Sequence, residues 1–197
     1  MQMSAAELAQ LNQAGGWIAI ASPIPTPPVV TAPPPPPPAI GPGTIYDNGK
    51  LMWPGDWDGS SLKVNYADAT KIPGKVVASM TSIAPWAYWL PYVLHLQTSQ
   101  FTNLILRIKP SVAGQKFSAA AYTSVLNPDG TWKNDVVTGG VSSLLPYASN
   151  PDADGVVTYT IPLSALKAVN IDLYKIIVQD QTGLTGDVWC VVYAAFM

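Results

Sequence analysis

A chain of 197 residues holds one domain of ordinary size plus accessory segments, since single domains usually run to about 100–200 residues. Only 11% of residues are charged and the net charge is −2, so no basic surface is available to neutralise phosphates, which argues against nucleic acid as a partner. Low charge with a hydrophobic fraction of 48% suits either a surface partly covered by neighbours or an aromatic-rich binding face. A single cysteine gives no disulfide framework, so stability must come from burial.

Residues 1–22 come first. They lack the Lys or Arg of a signal-peptide n-region, and the apolar stretch Trp17-Ile18-Ala19-Ile20-Ala21 is short. No standard export signal is read, no segment approaches the ~20 apolar residues of a membrane-spanning helix, and synthesis in the host cytoplasm is expected. Ser4-Ala5-Ala6-Glu7 has the spacing of a capping box, in which the Ser4 hydroxyl and Glu7 carboxylate satisfy amides left free by the first helical turn. A short helix is expected from there through Leu8 and Leu11, stopping near Gly15-Gly16. About ten residues cannot hold a helix alone in water. Leu8, Leu11, Trp17, Ile18 and Ile20 are therefore read as an anchor that gains order against a neighbouring protein.

Residues 23–43 follow, with more than half of the chain's 20 prolines and the unbroken run Pro33 to Pro38. Proline fixes φ and removes the amide donor, so the extended polyproline II form is what remains. At ~3.1 Å per residue such a segment reaches roughly 60 Å as a semi-rigid spacer. A stalk bearing an anchor is the reading, since only a short peptide precedes it.

Residues 44–197 form the expected globular domain. Apolar and polar residues alternate in Tyr92–Gln97 and in Leu104–Lys109, the period of strands with one buried face. Further strands are expected at Leu62–Tyr66, Lys75–Thr81, Lys116–Thr123, Val156–Ile161, Leu173–Gln179 and Asp187–Phe196, separated by turn signals such as Asn127-Pro128-Asp129-Gly130 and Asn150-Pro151-Asp152. One helical turn is expected at Ser164–Val169. Eight or nine short strands with almost no helical periodicity predict an all-β fold, an antiparallel β-sandwich of the jelly-roll kind or a barrel. Cys190, inside the apolar run Val188–Val192, reads as a buried inert thiol.

Four stretches carry a family resemblance: Thr44–Asp47 opening the domain, Phe101–Ile108, Gly114–Phe117, and Tyr159–Leu166. With the closing Ile176–Gln179 and Val188–Val192, they resemble the galactose-binding-type jelly-roll domains found among carbohydrate-binding modules. The resemblance implies sugar binding without catalysis. It also implies a structural calcium, held by acidic residues near the first strand and on the last. Here the last strand, Val191-Val192-Tyr193-Ala194-Ala195-Phe196, has no carboxylate, and Asp47 alone does not supply the six to eight oxygens that ion prefers. No cofactor or metal is expected.

Catalysis finds little support. Glycoside hydrolysis generally needs two carboxyl groups, and the only Glu, Glu7, lies outside the domain. Asp56 with Asp58, and Asp152 with Asp154, sit among Pro and Gly and read as turns. His95 is the only histidine and reads as structural. The aromatic residues are more informative, because a sugar ring stacks its C–H face on an indole or phenol while neighbouring polar groups take its hydroxyls. Candidate glycan contacts are Trp53, Trp57, Trp86, Tyr88, Trp89, Tyr122 and Trp132, with the Trp86–Trp89 cluster open between core and contact surface; Trp189 is assigned to the core. The whole reads as a non-enzymatic virion or assembly protein, such as a phage capsid-decoration or tail-associated component. Residues 1–43 would bind other virion proteins, and the sandwich would be displayed on the virion surface, as a homo-oligomer touching surface polysaccharide. The alternative is a free-standing extracellular carbohydrate-binding module.

Overall fold

The computed structural model describes residues 42–53 and 62–197. The expected N-terminal helix, the anchor residues Leu8, Leu11, Trp17, Ile18 and Ile20, the proline segment up to residue 41, and Asp56, Trp57 and Asp58 lie outside the described residues.

Twelve strands are present among the described residues: β1 (Thr44–Asp47), β2 (Lys50–Leu51), β3 (Leu62–Asp68), β4 (Val77–Ser82), β5 (Tyr88–Trp89), β6 (Tyr92–Gln97), β7 (Asn103–Pro110), β8 (Phe117–Leu126), β9 (Trp132–Val141), β10 (Val157–Pro162), β11 (Asp172–Asp180) and β12 (Gly186–Phe196). All pairings are antiparallel, and the expected all-β sandwich is what they build. Three strands were not anticipated. β2 and β5 have two residues each, too few for alternation to register. β9 carries Lys133-Asn134-Asp135 near its start and Gly139-Gly140 near its end, which blur its pattern; pairing with β8 holds it extended.

The expected helical turn at Ser164–Val169 is corrected to a series of tight turns. Lys167 has φ 51° and Asn170 φ 56°, left-handed conformations that cannot propagate a helix. The Ala168 amide instead reaches back to the Leu163 carbonyl at 2.8 Å. Helical structure among the described residues is limited to two 3-10 turns, Thr98–Gln100 and Leu145–Tyr147, and neither is long and apolar enough to cross a membrane.

The larger sheet has seven strands and is centred on β12. One edge of β12 pairs along its length with β7, which in turn pairs with β10. The other edge is shared: β4 takes Gly186–Val191 and β1 takes Tyr193–Ala195, with β3 and β2 extending them. A bulge between Val191 and Tyr193 shifts the side-chain phase, so Trp189 and Val191 face the core on one side of it and Ala194 and Phe196 on the other. Cys190 and Val192 face away, yet they too are covered, by Ile72, Val77 and Val156. Burial pushes the Cys190 thiol up to about 11, which keeps it protonated and unreactive at neutral pH.

The smaller sheet has five strands, in the order β9–β8–β11, with the far edge of β11 shared by β6 and β5. Leu90-Pro91 divides those two short strands, because proline offers no amide to the ladder. The core lies between the sheets. Leu104, Leu106 and Ile108 of β7 and Ile161 of β10 meet Leu173, Ile176 and Val178 of β11 and Ala121 of β8, all fully buried. Phe117 sits edge-on to Trp189 at 5.3 Å between ring centroids, and Trp189 itself is 2% exposed.

At the end of β3, the Asp68 carboxylate accepts from the Thr70 amide at 2.8 Å, the Thr70 hydroxyl at 2.6 Å and the Ser79 hydroxyl at 2.7 Å, tying β3 to β4. The Thr70 and Ser79 hydroxyls, with the Thr70 amide, hold this carboxyl below its ordinary value. The folded state then binds that proton more weakly than the unfolded chain does. Its stabilisation is complete above the unfolded-state pKa of about 3.9 and is lost as pH falls through the folded-state value. Asp68→Asn is expected to lower stability by about 1–3 kcal/mol at pH 7. The gap to wild type should narrow below about pH 4. Urea melts at both pH values check this, and a deficit that ignores pH would assign the effect to shape alone.

Candidate functional site

Period-two alternation on β11 sends Ile176 and Val178 into the core and Lys175, Ile177 and Gln179 to the outer face of the smaller sheet. Register extends each of these across the neighbouring strands. Lys175 stands opposite Tyr92 of β6 and Tyr122 of β8, and Tyr122 stands opposite Val137 of β9. Ile177 is followed by Ala120 and then Gly140. Gln179 lies between Tyr88 of β5 and Ser118 of β8. Ala120 and Gly140 are small, and with Ile177 this middle row forms the floor of an open groove of about 570 Å³. The outer rows are four residues apart on β11, a separation of roughly 14 Å.

Gly140 keeps that floor low for a steric reason. A Cβ there would stand 2.9 Å from the Ala119 carbonyl oxygen and 3.2 Å from the Ala120 Cβ. Its neighbour Gly139 faces the interior, where a Cβ would meet the Leu166 carbonyl oxygen at 2.7 Å, so the turn after β10 can pack against β9 only if position 139 is bare.

The two outer rows differ in chemistry, and of the first only Tyr122 lines the groove. On one, the Lys175 ammonium lies 4.9 Å from the Tyr122 ring centroid and 5.8 Å from that of Tyr92. A bulge between Leu173 and Lys175 puts Tyr174 on the same face, edge-on to Tyr92 at 5.3 Å, and His95 follows at 6.3 Å from Tyr174. His95 is solvent-exposed and its Nδ1 lies 3.1 Å from Asp172 Oδ2, so it belongs to a surface pair at the end of this wall.

The other wall is a relay of amides with a defined direction. Gln179 Nε2 donates to the Trp86 carbonyl at 2.9 Å, and Gln181 Nε2 donates to Gln179 Oε1 at 2.9 Å and to Ser118 Oγ at 2.8 Å. A main-chain carbonyl only accepts, so the Gln179 nitrogen must face Trp86, its oxygen must face Gln181, and the orientation of both amides follows. Gln181 thereby keeps its carbonyl oxygen for a donor from outside, and the Ser118 hydroxyl keeps a proton to donate.

The sequence candidates distribute unevenly around this groove. Tyr88 and Tyr122 line it. Trp86 stands at the end of the amide wall, 52% exposed, with the left-handed φ of 65° that is strained for a tryptophan. Trp89 is corrected to the core: at 1% exposure it has no surface to offer, and its Nε1 donates to the Tyr66 hydroxyl at 3.1 Å. Trp53 is partly buried against the core and donates from Nε1 to the Thr44 carbonyl at 3.0 Å, which gives it a structural role away from the groove lining. Trp57 and the side chain of Trp132 lie outside the described residues, although the Trp132 backbone opens β9 opposite Leu126. Asp152 acts as a turn residue, its Oδ1 accepting from the amides of Asp154 at 3.0 Å and Val156 at 2.9 Å. Among the described residues no group of three or more His, Cys, Asp or Glu side chains converges as a metal site.

Sequence reasoning did not nominate Lys175, Gln179, Gln181, Ser118 or Ala120. The alternation of Lys175, Ile177 and Gln179 within one apolar strand was the available signal, since three outward side chains of that mixed kind mark a face that is neither core nor plain solvent surface.

Fold and groove together define a β-sandwich with one sheet whose outer face is covered and one sheet whose outer face carries an open groove. No protein-family model matches the sequence, and no curated protein matches it. Among solved structures, the chain is similar to the family 30 carbohydrate-binding module of a cellulosomal cellulase of Clostridium thermocellum, with 12% identity and a TM-score of 0.48 over 78% of this chain and 93% of that one. A second family 30 carbohydrate-binding module aligns with 12% identity and a TM-score of 0.47, covering 78% of this chain and 94% of its own. A carbohydrate-binding module described for specific mannan recognition aligns with 15% identity and a TM-score of 0.32, covering 77% and 93%.

The contrast between neighbouring tryptophans is directly measurable. Trp89→Ala should lower stability by about 3–5 kcal/mol, the range for a large aromatic removed from a core. Trp86→Ala should lower it by about 1 kcal/mol or less. Equal losses in thermal melts would contradict the assignment of Trp86 to the surface.

Proposed function

We propose that this chain is a non-enzymatic binding protein that holds a polysaccharide in the groove on the outer face of its smaller sheet. The observation that carries the reading is the pairing of aromatic walls with a directional amide relay across a flat floor. Tyr88 and Tyr122 offer ring surface to the C–H faces of sugars, while Gln181 and Ser118 offer an acceptor and a donor to hydroxyls. Tyr, Ser, Ala, Gly, Val, Ile and Gln make up the groove lining, so it lacks the carboxyl pair that glycoside hydrolysis generally needs.

The proline-rich composition of residues 23–43 supports a finer reading, in which the sandwich is displayed at the end of a stalk. Residues 1–22 then attach it to the surface of a virion or similar assembly, as a capsid-decoration or tail-associated protein, and several copies stand together. The alternative is a free-standing extracellular module that binds polysaccharide with no particle behind it. Attachment separates the two: deleting residues 1–42 should abolish association with the assembled particle and leave glycan binding unchanged, and undiminished attachment overturns the anchoring role.

For the groove itself, Ala120→Tyr fills the floor from outside and leaves the buried Ala121 untouched. Glycan binding by the full chain should fall at least about tenfold, a loss of about 1.4 kcal/mol, with the melting temperature little changed. Retained binding on a glycan array in both Ala120→Tyr and Tyr122→Ala would move the site elsewhere.

A further inference from the structure

We propose that Trp86 forms a second saccharide subsite, a stacking platform beyond the groove on which the bound polysaccharide lays the C–H face of a further pyranose ring. The inference rests on the glycan-binding reading and extends that site by one unit of ligand.

Three observations carry it. The first is the strain of the position, since Trp86 combines a φ of 65° with 52% exposure. A left-handed backbone is unfavourable for so bulky a side chain, and a half-exposed ring recovers little burial in return. Glycine would adopt the same backbone freely. Strain of this kind persists only where the surroundings over-determine it, and it clusters at sites that hold ligands. The second observation is that the surroundings do over-determine it. Gln179 Nε2 donates to the Trp86 carbonyl at 2.9 Å, and the next carbonyl, that of Ala87, accepts from the Asp180 amide at 3.0 Å. Ala87 and Trp89 are buried, so the segment is pinned to the end of β11 and the Trp86 ring is left outside the core. The indole lies over Gly183, in the loop after β11, where a Cβ would stand 3.7 Å from the ring. It is thus supported by main chain and still half open to a ligand.

The third observation is continuity with the groove. Tyr88, Gln179 and Gln181 all line it; Gln179 holds the Trp86 carbonyl, and Gly183, under the indole, comes two residues after Gln181. The Cα atoms of Trp86 and Tyr88 are at most about 7 Å apart, roughly one pyranose unit. A saccharide whose hydroxyls meet Gln181 and Ser118 therefore brings its next ring to the indole. The face of an indole offers neither donor nor acceptor, its one donor being the ring-edge N–H, so what it selects is an apolar patch. A pyranose with its axial hydrogens gathered on one side, as in β-glucose or β-galactose, supplies that patch. The backbone holds the ring in place before the ligand arrives, so little side-chain freedom is lost on binding.

Calorimetric titration of the full chain with cello-, manno- and β-1,4-galacto-oligosaccharides, from disaccharide to hexasaccharide, tests this. Trp86→Gly removes the platform and relaxes the backbone; it should lower affinity for the tightest-binding hexasaccharide about tenfold. The melting temperature should change little, because relief of strain offsets the small burial lost. Trp86→Phe keeps a flat ring and should stay within about threefold of wild-type affinity. Acrylamide quenching reads the contact directly: saturating hexasaccharide should protect tryptophan fluorescence in the wild-type chain, and that protection should fall in Trp86→Gly. Wild-type affinity in Trp86→Gly overturns the platform and leaves the groove standing, as does a loss that Trp86→Phe shares in full. Failure of every oligosaccharide to bind the wild-type chain overturns both.

Discussion

Registry between β8 and β11 is the constraint on which both the core and the groove depend. The same pairing that places Ile176 beside Ala121 and Val178 beside Ala119 inside the sandwich places Lys175 beside Tyr122, Ile177 beside Ala120 and Gln179 beside Ser118 outside it. Side-chain direction alternates with period two, so a slip of one residue would exchange these sets. Burial of the apolar set therefore enforces the geometry of the polar one. The groove needs no separate stabilisation, because the hydrophobic effect that closes the core also aligns its walls.

The two sheets treat their outer faces differently. In the larger sheet the loop before β4 and the residue preceding β10 cover the outward side of β12, so that Cys190 and Val192 are buried. In the smaller sheet the floor side chains are too small to fill the space between the rows, and the surface stays open. This face carries Tyr88, Tyr92, Tyr122 and Tyr174 instead of a uniformly charged coat, which is what the proposed binding role rests on.

The groove also shows how orientation can be specified by main chain at a distance. One carbonyl, that of Trp86, sets the direction of Gln179, which sets Gln181, which leaves Ser118 with its proton. The strained backbone of Trp86 is part of that arrangement, since its carbonyl is the fixed end of the relay. On the outer row across the groove, the Lys175 ammonium lies between the Tyr92 and Tyr122 rings.

Much of the fold was legible without coordinates. Alternation at Leu104–Lys109 and Leu173–Gln179 marked strands, since period two arises when one face of an extended segment is buried and the other is not, whereas Tyr88 and Tyr122 were nominated by their ring chemistry and not by parity. The fate of Trp86 and Trp89 was not legible. They are three residues apart, in a segment where β5 is too short to show parity, and a left-handed turn at Trp86 breaks whatever phase exists. The turn at Ser164–Val169 looked helical because nothing in its composition announces that Lys167 adopts a positive φ. Sequence alone determined that the domain is built of antiparallel strands, because alternation depends on residues close together in the chain. Only the tertiary structure decided that Lys175 lies between Tyr92 and Tyr122 and that Gln181 meets Ser118, 63 residues away, because such neighbours are created by sheet register and not by local preference.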